Sequence, residues 1–158
     1  MLAPLRFAFS RPTATFPRHH NQRIIPKVTR MIRTTCHCGA VSIAIPRQPE
    51  ALTNCDCSIC RRYGPLWAYF QNDEVETHAA PEATQEYSWG KKSIAFVRCR
   101  TCGCITHWKP LKASRGKRMG VNARNFEPEQ LGPVRIRLLD GAVTEAYVAE
   151  YGAGNSDA

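Results

Sequence analysis

All eight cysteines of this 158-residue chain fall into three short groups, at residues 36–39 (CHCG), 55–60 (CDCSIC) and 99–104 (CRTCGC). In an extended segment, side chains two positions apart point to the same face, so a C-x-C pair offers two thiolates to one metal ion. Such a pair makes a poor disulfide, because closing so small a loop strains the S–S geometry. Gly39 and Gly103 each follow a cysteine, where a metal-binding turn often needs a left-handed backbone. The three groups therefore predict metal sites.

The spacing divides the cysteines between two zinc ions per chain. Structural zinc takes four protein ligands, whereas catalytic zinc takes three and keeps an open position. Cys55, Cys57 and Cys60 lie within six residues, so they are predicted to bind one zinc ion with an open fourth position. The remaining C-x-C and C-x-x-C pairs then form a four-thiolate structural site that joins an early strand to a late one: Cys36, Cys38, Cys99 and Cys102. Cys104 is left over, and we interpret it as a small buried thiol.

The first thirty residues carry most of the net charge. They hold six basic residues and no acidic residue, so they supply +6 of the total of +9. The rest of the chain is only mildly basic, which argues against a nucleic-acid-binding domain. Residues 1–30 are interpreted as an appendage: a mitochondrial transit peptide, a basic disordered tail, or sequence upstream of a true start at Met31. The domain is expected over residues 31–152, with a disordered tail at 153–158.

The cellular compartment is also predicted from the sequence. Residues 1–30 lack the continuous apolar stretch of a secretory signal peptide, and no run approaches the ~18 apolar residues of a membrane span. In a reducing compartment, clustered cysteines are typical of metal ligands rather than of disulfides. We therefore expect a cytoplasmic protein, or a mitochondrial one if residues 1–30 are a transit peptide. We expect neither a membrane nor a nucleic acid among its partners.

Short strands between Gly and Pro turns are predicted through most of the chain. The expected strands are rich in β-branched and aromatic residues, and they lie at residues 40–45, 66–70, 86–89, 93–98, 105–109, 118–122, 134–139 and 143–151. Residues 58–63 and 128–131 resemble helical turns, and no βαβ rhythm occurs. The pattern predicts an all-β domain in which bound zinc supplements a modest core.

Taken together, the three cysteine motifs carry a family resemblance. The strings CHCG, CDCSICRR and CRTCG resemble those of the glutathione-dependent formaldehyde-activating enzyme family, whose domain is shared by centromere protein V and its relatives. The resemblance covers roughly residues 33–151. It implies an Mss4-like, β-rich fold, and it matches the four-thiolate set to a structural zinc and the three-thiolate set to a catalytic zinc. Residues 102–108 (CGCITHW) resemble a bacterial subgroup rather than the glutathione-using enzyme itself.

A zinc ion held by three thiolates suits thiol chemistry. The site keeps a net negative charge, so it is a weaker Lewis acid than zinc on three neutral histidines and is poorly suited to activating water. An incoming thiol loses its proton on binding and remains nucleophilic toward a small carbonyl. The resemblance implies a glutathione-like thiol and an aldehyde such as formaldehyde as partners. In the cleavage direction, this activity is that of a carbon–sulfur lyase.

Nearby side chains are assigned supporting roles. Arg61 and Arg62 directly follow the three-cysteine group and could pair with the carboxylates of the thiol, or form a solvated basic face. His107, beside Trp108, is a candidate proton shuttle or fourth ligand, or else a satisfied structural histidine. Two alternatives to an enzyme stay open: a non-catalytic thiol carrier and a zinc-stapled protein-interaction module.

Overall fold

The computed structural model describes residues 30–112 and 117–152. Within them the chain forms strands and two single-turn α-helices, numbered here in chain order: β1 (Ile32–Thr35), β2 (Val41–Ile45), β3 (Leu52–Cys55), α1 (Cys60–Tyr63), β4 (Trp67–Gln71), β5 (Glu76–Ala79), β6 (Thr84–Tyr87), β7 (Ile94–Cys99), β8 (Ile105–Pro110), β9 (Arg118–Asn122), α2 (Pro128–Leu131), β10 (Ile136–Asp140) and β11 (Ala146–Tyr151). The prediction of an all-β, Mss4-like fold is confirmed. The predicted N-terminal extension, apart from Arg30, and the predicted C-terminal tail lie outside the described residues.

The strands build two sheets. A three-stranded sheet has the order β1-β2-β5, and an eight-stranded sheet has the order β11-β10-β3-β4-β9-β8-β7-β6. Neighbouring strands run antiparallel, except that β10 runs parallel to β3. The parallel pairing places Leu139 beside Cys55. It therefore brings the hairpin formed by β10 and β11 to the segment that holds the three clustered cysteines.

Aromatic side chains fill much of the core of the larger sheet. Trp67 is 1% exposed, and the rings of Trp67 and Tyr63 both contact Phe96, with centroids 6.1 and 6.2 Å away. Trp108 is also buried and meets the ring of Tyr69 edge-on, at a centroid separation of 6.0 Å. Each such ring buries about 150–250 Å². These contacts link α1 to β4, β7 and β8, and so hold this helical turn against the sheet.

The structure corrects several elements predicted from the sequence. The bounds of β9 and α2 agree with the prediction, whereas β6 lies two residues earlier than the strand predicted at 86–89. The sequence pattern predicts none of β1, β3 and β5. Each has four residues, and β5 is exposed along its whole length, so it lacks the alternation that marks a half-buried strand. Pairing with neighbouring strands stabilises these segments.

Candidate metal centres

The four-cysteine cluster joins a turn of each sheet. Cys36 and Cys38 lie in the turn between β1 and β2, Cys99 ends β7, and Cys102 lies in the turn before β8. The Sγ atoms of all four lie within 4.8 Å of one another. The Cys36–Cys38 and Cys38–Cys99 sulfur distances are 3.7 and 3.5 Å. Zinc–sulfur bonds of about 2.3 Å at tetrahedral angles separate the sulfurs by about 3.8 Å. The four thiols therefore fit a tetrahedral metal ion such as zinc.

Both turns of this cluster depend on a left-handed glycine. Gly39 has φ of 80° and Gly103 has φ of 74°, values that other residues rarely adopt. The Gly39 N–H donates to the Cys36 carbonyl at 2.9 Å, and the Gly103 N–H donates to the Cys99 carbonyl at 3.0 Å. In addition, the backbone N–H of Val41 donates to the Cys36 sulfur at 3.3 Å. Local hydrogen bonding thus shapes the turns around the ligand sulfurs.

Cys104 lies beside the four-cysteine cluster without being part of it. It is partly buried, and its side chain packs against the group formed by Cys36, Val41 and Cys99. The interpretation of Cys104 as a small buried thiol is thus met only in part, because the side chain is partly buried and borders a candidate metal centre rather than the main core.

The three-cysteine cluster is built from consecutive residues at the junction of β3 and α1. Cys55 ends β3, Cys57 lies in the connecting loop, and Cys60 begins α1, and their sulfurs lie within 4.8 Å of one another. The backbone N–H of Arg61 donates to the Cys57 carbonyl at 3.1 Å, which winds the loop into the helical turn. The turn ends at Gly64, which has a left-handed backbone. The structure thus brings together all three of these predicted ligands.

The sulfurs of this cluster differ in their electrostatic surroundings. Buried Trp67 donates its indole N–H to the Cys60 sulfur at 3.3 Å. The hydrogen bond from the Cys60 thiol lowers the pKa of Cys55 to about 6, and the same contact raises the pKa of Cys60. The ionisation of these two thiols is therefore linked. Because metal binding requires thiolates, the affinity of the cluster for a metal ion depends on pH.

A turn from the C-terminal hairpin packs against the three-cysteine cluster. The Asp56 carboxylate accepts a hydrogen bond from the Ala142 N–H at 3.1 Å, and the Asp56 N–H donates to the Leu139 carbonyl at 3.2 Å. Gly141 then lies directly against Cys55, because a Cβ atom at that position would overlap the cysteine sulfur. Sequence reasoning missed this role of Gly141. The Asp-Gly pair at 140–141 signals only a turn, not what the turn approaches.

One face of the larger sheet carries the three-cysteine cluster together with aromatic side chains. Residues paired across antiparallel or parallel strands point to the same face, and successive residues alternate. The register pairs Thr53 with Trp67, and it aligns Tyr69 with Trp108 across β9. Cys55 is two residues after Thr53, so it shares this face. The result is an aromatic surface beside the cysteines.

Hydroxyl groups lie on the same face. The Thr53 hydroxyl is 3.0 Å from the Tyr147 hydroxyl, and Tyr69, two residues after the Trp67 that pairs with Thr53, shares this face. Burial raises the pKa of Tyr69 to about 12, and the nearby Cys55 charge contributes in the same direction. The Tyr69 hydroxyl therefore keeps its proton at neutral pH and remains a hydrogen-bond donor.

His107 is not brought to the three-cysteine cluster. It pairs with Val121, whereas the next residue, Trp108, pairs with Gly120. Because successive side chains of a strand alternate between faces, the His107 side chain points to the face opposite that of Trp108. It is 5% exposed, and its Nδ1 atom is 3.0 Å from the hydroxyl of Thr106. Burial lowers the pKa of His107 to about 4, which keeps the ring neutral. This position fits a structural histidine, the alternative that the sequence left open.

Arg61 and Arg62 are exposed on α1, next to the cluster. Arg62 donates to the Ser58 carbonyl at 2.6 Å, so part of its guanidinium group supports the cysteine loop itself. A small cavity opens on the aromatic face and is lined in part by Arg47, Arg135 and Arg137. Neither Arg61 nor Arg62 belongs to its lining.

Comparison with known proteins agrees with this architecture. Residues 31–137 match the glutathione-dependent formaldehyde-activating enzyme family. A solved protein of Rhodobacter sphaeroides, determined as a structural genomics target, is 32% identical with a TM-score of 0.54, and the alignment covers 65% of this chain and 96% of that one. The chain has no significant match among curated proteins. Both cysteine clusters lie within the matched segment, which spans more than half of the chain. The chain therefore belongs to the glutathione-dependent formaldehyde-activating enzyme family.

Proposed function

We propose that this protein binds zinc at both clusters and, at the three-cysteine cluster, reversibly joins a small glutathione-like thiol to an aldehyde such as formaldehyde. The observation that carries the proposal is the difference between the clusters. Among the described residues, one set offers four sulfur ligands and the other offers three. A tetrahedral ion on Cys55, Cys57 and Cys60 has room for one more ligand. We assign that fourth position to the sulfur of the glutathione-like thiol.

The reaction balances without a further reactant. The thiol S–H and the aldehyde C=O become an S–C bond and an O–H group, and the reverse step is the cleavage of a carbon–sulfur lyase. Zinc would lower the pKa of an incoming thiol and hold it as a nucleophilic thiolate. The proton that the thiol loses must finally reach the former carbonyl oxygen.

The residues of the chain have distinct supporting roles. The indole N–H of Trp67 donates to the Cys60 sulfur and so reduces the negative charge on that ligand. The turn at Gly141 packs directly against Cys55 and so holds its sulfur in place. The partly buried ring of Tyr69 and the buried ring of Trp108 form an apolar wall that would keep water away from the thiol.

A hydrogen-bond donor is also needed for the aldehyde oxygen. Tyr69 lies on the face of Cys55, and burial raises its pKa to about 12, so its hydroxyl is protonated. Tyr69 also borders the same cavity as Thr53 and Tyr147, whose hydroxyls are 3.0 Å apart. We assign to Tyr69 the role of hydrogen-bond donor to the oxygen on which negative charge develops.

Cytoplasmic localisation is part of the proposal. The cysteines of both clusters are free thiols, and a reducing compartment keeps them available as ligands. No helix in the described part of the chain is long and apolar enough to cross a bilayer.

The test is the rate of exchange between formaldehyde, glutathione and their adduct, followed by NMR in the presence of the zinc-loaded protein. We expect the exchange rate to rise with protein concentration, and to fall to the uncatalysed rate in Cys57→Ser. Cys104→Ser is the matched control and should keep the wild-type rate. A thiol that binds without acceleration would favour the carrier, and the absence of both binding and acceleration would favour the interaction module.

A further inference from the structure

A small basic cleft opens on the sheet face that carries the three-cysteine cluster. Its volume is about 220 Å³, and its lining includes three arginines, Arg47 from the loop after β2 and Arg135 and Arg137 at β10, against one acidic residue, Glu50, with Tyr147 of β11 beside them. Thr53 also borders it. Pockets for whole drug-sized ligands usually hold about 300–1,000 Å³. This cleft is therefore suited to one arm of a small molecule whose remainder lies outside it.

The cleft lies within reach of the three-cysteine cluster. In the parallel pairing of β3 and β10, Leu139 lies beside Cys55, and Arg137 lies beside Thr53. Two residues of strand correspond to about 7 Å. An extended tripeptide spans about 10 Å. A thiol of tripeptide size can therefore place its sulfur at Cys55 and a terminal group beside Arg137.

Arg47 and Arg135 of the cleft donate hydrogen bonds to carboxylates through their terminal amino groups, whereas those of Arg137 have no such partner among the described residues. Arg47 is engaged by the carboxylate of Glu74 at 2.9 Å, and Arg135 donates to Glu150 at 3.2 Å. The Nε atom of Arg137 is 3.6 Å from the same Glu150 carboxylate. Within the described residues, the terminal amino groups of Arg137 donate no hydrogen bond to another protein group. Arg137 is thus the arginine of the cleft that is best placed to receive an additional anion.

The guanidinium group of Arg137 is also held in a fixed plane. Its Cζ atom lies 3.5 Å from the centroid of the Tyr147 ring, and the Tyr147 hydroxyl is held in turn by Thr53 at 3.0 Å. Stacking of this kind orients the arginine before a ligand arrives, so little side-chain entropy is lost on binding. A planar fork of N–H donors matches the two oxygens of a carboxylate.

We propose that the cleft binds a carboxylate of the thiol substrate, with Arg137 as the principal contact, so that the protein selects acidic thiols over neutral or cationic ones. The inference rests on the proposed function, because it takes the three-cysteine cluster as the binding site of the sulfur. It also replaces Arg61 and Arg62 as the carboxylate contacts expected from the sequence. Those two side chains are exposed on α1 and lie outside the cleft.

The first experiment compares three thiols on the cobalt-substituted full-length protein, using the thiolate–cobalt absorption bands to measure affinity. Glutathione carries two carboxylates, its dimethyl ester carries none, and 2-mercaptoethanol is a small neutral thiol. We expect glutathione to bind about tenfold or more tightly than its ester, as a charge-assisted pair of hydrogen bonds implies. Arg137→Ala should remove this preference and leave the affinity for 2-mercaptoethanol unchanged. Arg124→Ala, an exposed arginine outside the cleft, is the matched control.

Two results would overturn the inference and leave the proposed function standing. One is equal affinity of the wild-type protein for glutathione and its ester. The other is loss of the preference in Arg61→Ala but not in Arg137→Ala.

A second experiment tests the cleft without the metal–thiol bond. S-methylglutathione keeps both carboxylates and cannot coordinate as a thiolate, so calorimetry reports on the cleft alone. Binding about tenfold weaker in Arg137→Ala than in the wild-type protein would support the inference. Equal affinity of the two proteins would overturn it, and so would the absence of binding to the wild-type protein. If no thiol alters the cobalt spectrum, the proposed function fails, and this measurement still decides whether the cleft takes a carboxylate.

Discussion

Gly141 lies so close to Cys55 that a single methyl group would overlap the cysteine sulfur. A Cβ at position 141 would also lie 3.2 Å from the Cβ of Cys57. The turn cannot easily retreat, because the Asp56 carboxylate accepts a hydrogen bond from the Ala142 N–H at 3.1 Å. The three-cysteine cluster is therefore made by one local segment but enclosed by a turn that lies more than eighty residues away in sequence.

The Gly141→Ala substitution should selectively damage this cluster. The added methyl group must displace either the turn or the Cys55 sulfur, so we expect zinc content to fall from about two ions per chain toward one. Zinc released by denaturation and measured with a chromogenic chelator gives the count. Val143→Ala, in the same turn but 82% exposed, should keep both ions. Two ions of unchanged affinity in Gly141→Ala would contradict the close packing.

The Trp67→Phe substitution should change the electronic properties of the cluster. It removes the indole N–H that donates to the Cys60 sulfur at 3.3 Å, and the loss of a net hydrogen bond costs about 1 kcal/mol of stability. The sulfur then carries more electron density, so the thiolate-to-cobalt absorption band should move to longer wavelength. Trp89→Phe, at a half-exposed tryptophan outside the core, should leave the band in place. A band that does not move would show that this hydrogen bond is lost when metal binds.

The two clusters should differ in what their removal does to the fold. Cys99 is fully buried and belongs to the cluster that joins turns of both sheets, so Cys99→Ser should unfold or strongly destabilise the domain. Cys57→Ser alters a cluster made by one local segment, so most of the thermal stability should remain. Thermal unfolding of both zinc-loaded variants is the measurement. Equal losses in melting temperature would contradict the assignment of separate structural and functional sites.

His107 should make stability depend on pH in a defined window. Burial lowers its pKa in the folded protein to about 4, against 6.5 for the ordinary group. Between these two pKa values, His107 binds a proton in the unfolded chain but not in the folded protein. The contribution of neutral His107 to the free energy of unfolding is therefore fully present above pH 6.5 and is lost as the pH falls toward 4. Between pH 7 and pH 5 the wild-type protein should lose about 2 kcal/mol more free energy of unfolding than His107→Gln.

Denaturant unfolding at both pH values, with zinc in excess, tests this prediction. His78→Gln replaces an exposed histidine and should follow the wild-type protein. The interpretation of His107 as a neutral buried residue is wrong if His107→Gln shows the same pH dependence as the wild-type protein.

Local spacing was enough to predict which cysteines lie together in each cluster. Chelation by C-x-C and C-x-x-C-G depends on backbone geometry within a few residues, and the left-handed Gly39 and Gly103 are where the motif requires them. The all-β class follows from short β-rich segments between turn residues, and the bounds of β9 and α2 follow from the same signals. β5 is exposed along its whole length, so its sequence lacks the alternation of apolar and polar residues that predicts a strand. It forms a strand because it pairs with a neighbouring strand.

Tertiary structure alone decided what surrounds the ligands. A shift of one residue in strand register moves a side chain to the other face of a sheet, and sequence proximity cannot reveal that register. His107 and Trp108 are adjacent in sequence, yet the pairing with β9 places them on opposite faces. In the same way, the parallel pairing of β3 with β10 brings Gly141 to Cys55 and Arg137 to Thr53 across more than eighty residues of chain. The sequence thus determined which cysteines cluster, and long-range strand pairing decided which other residues lie beside them.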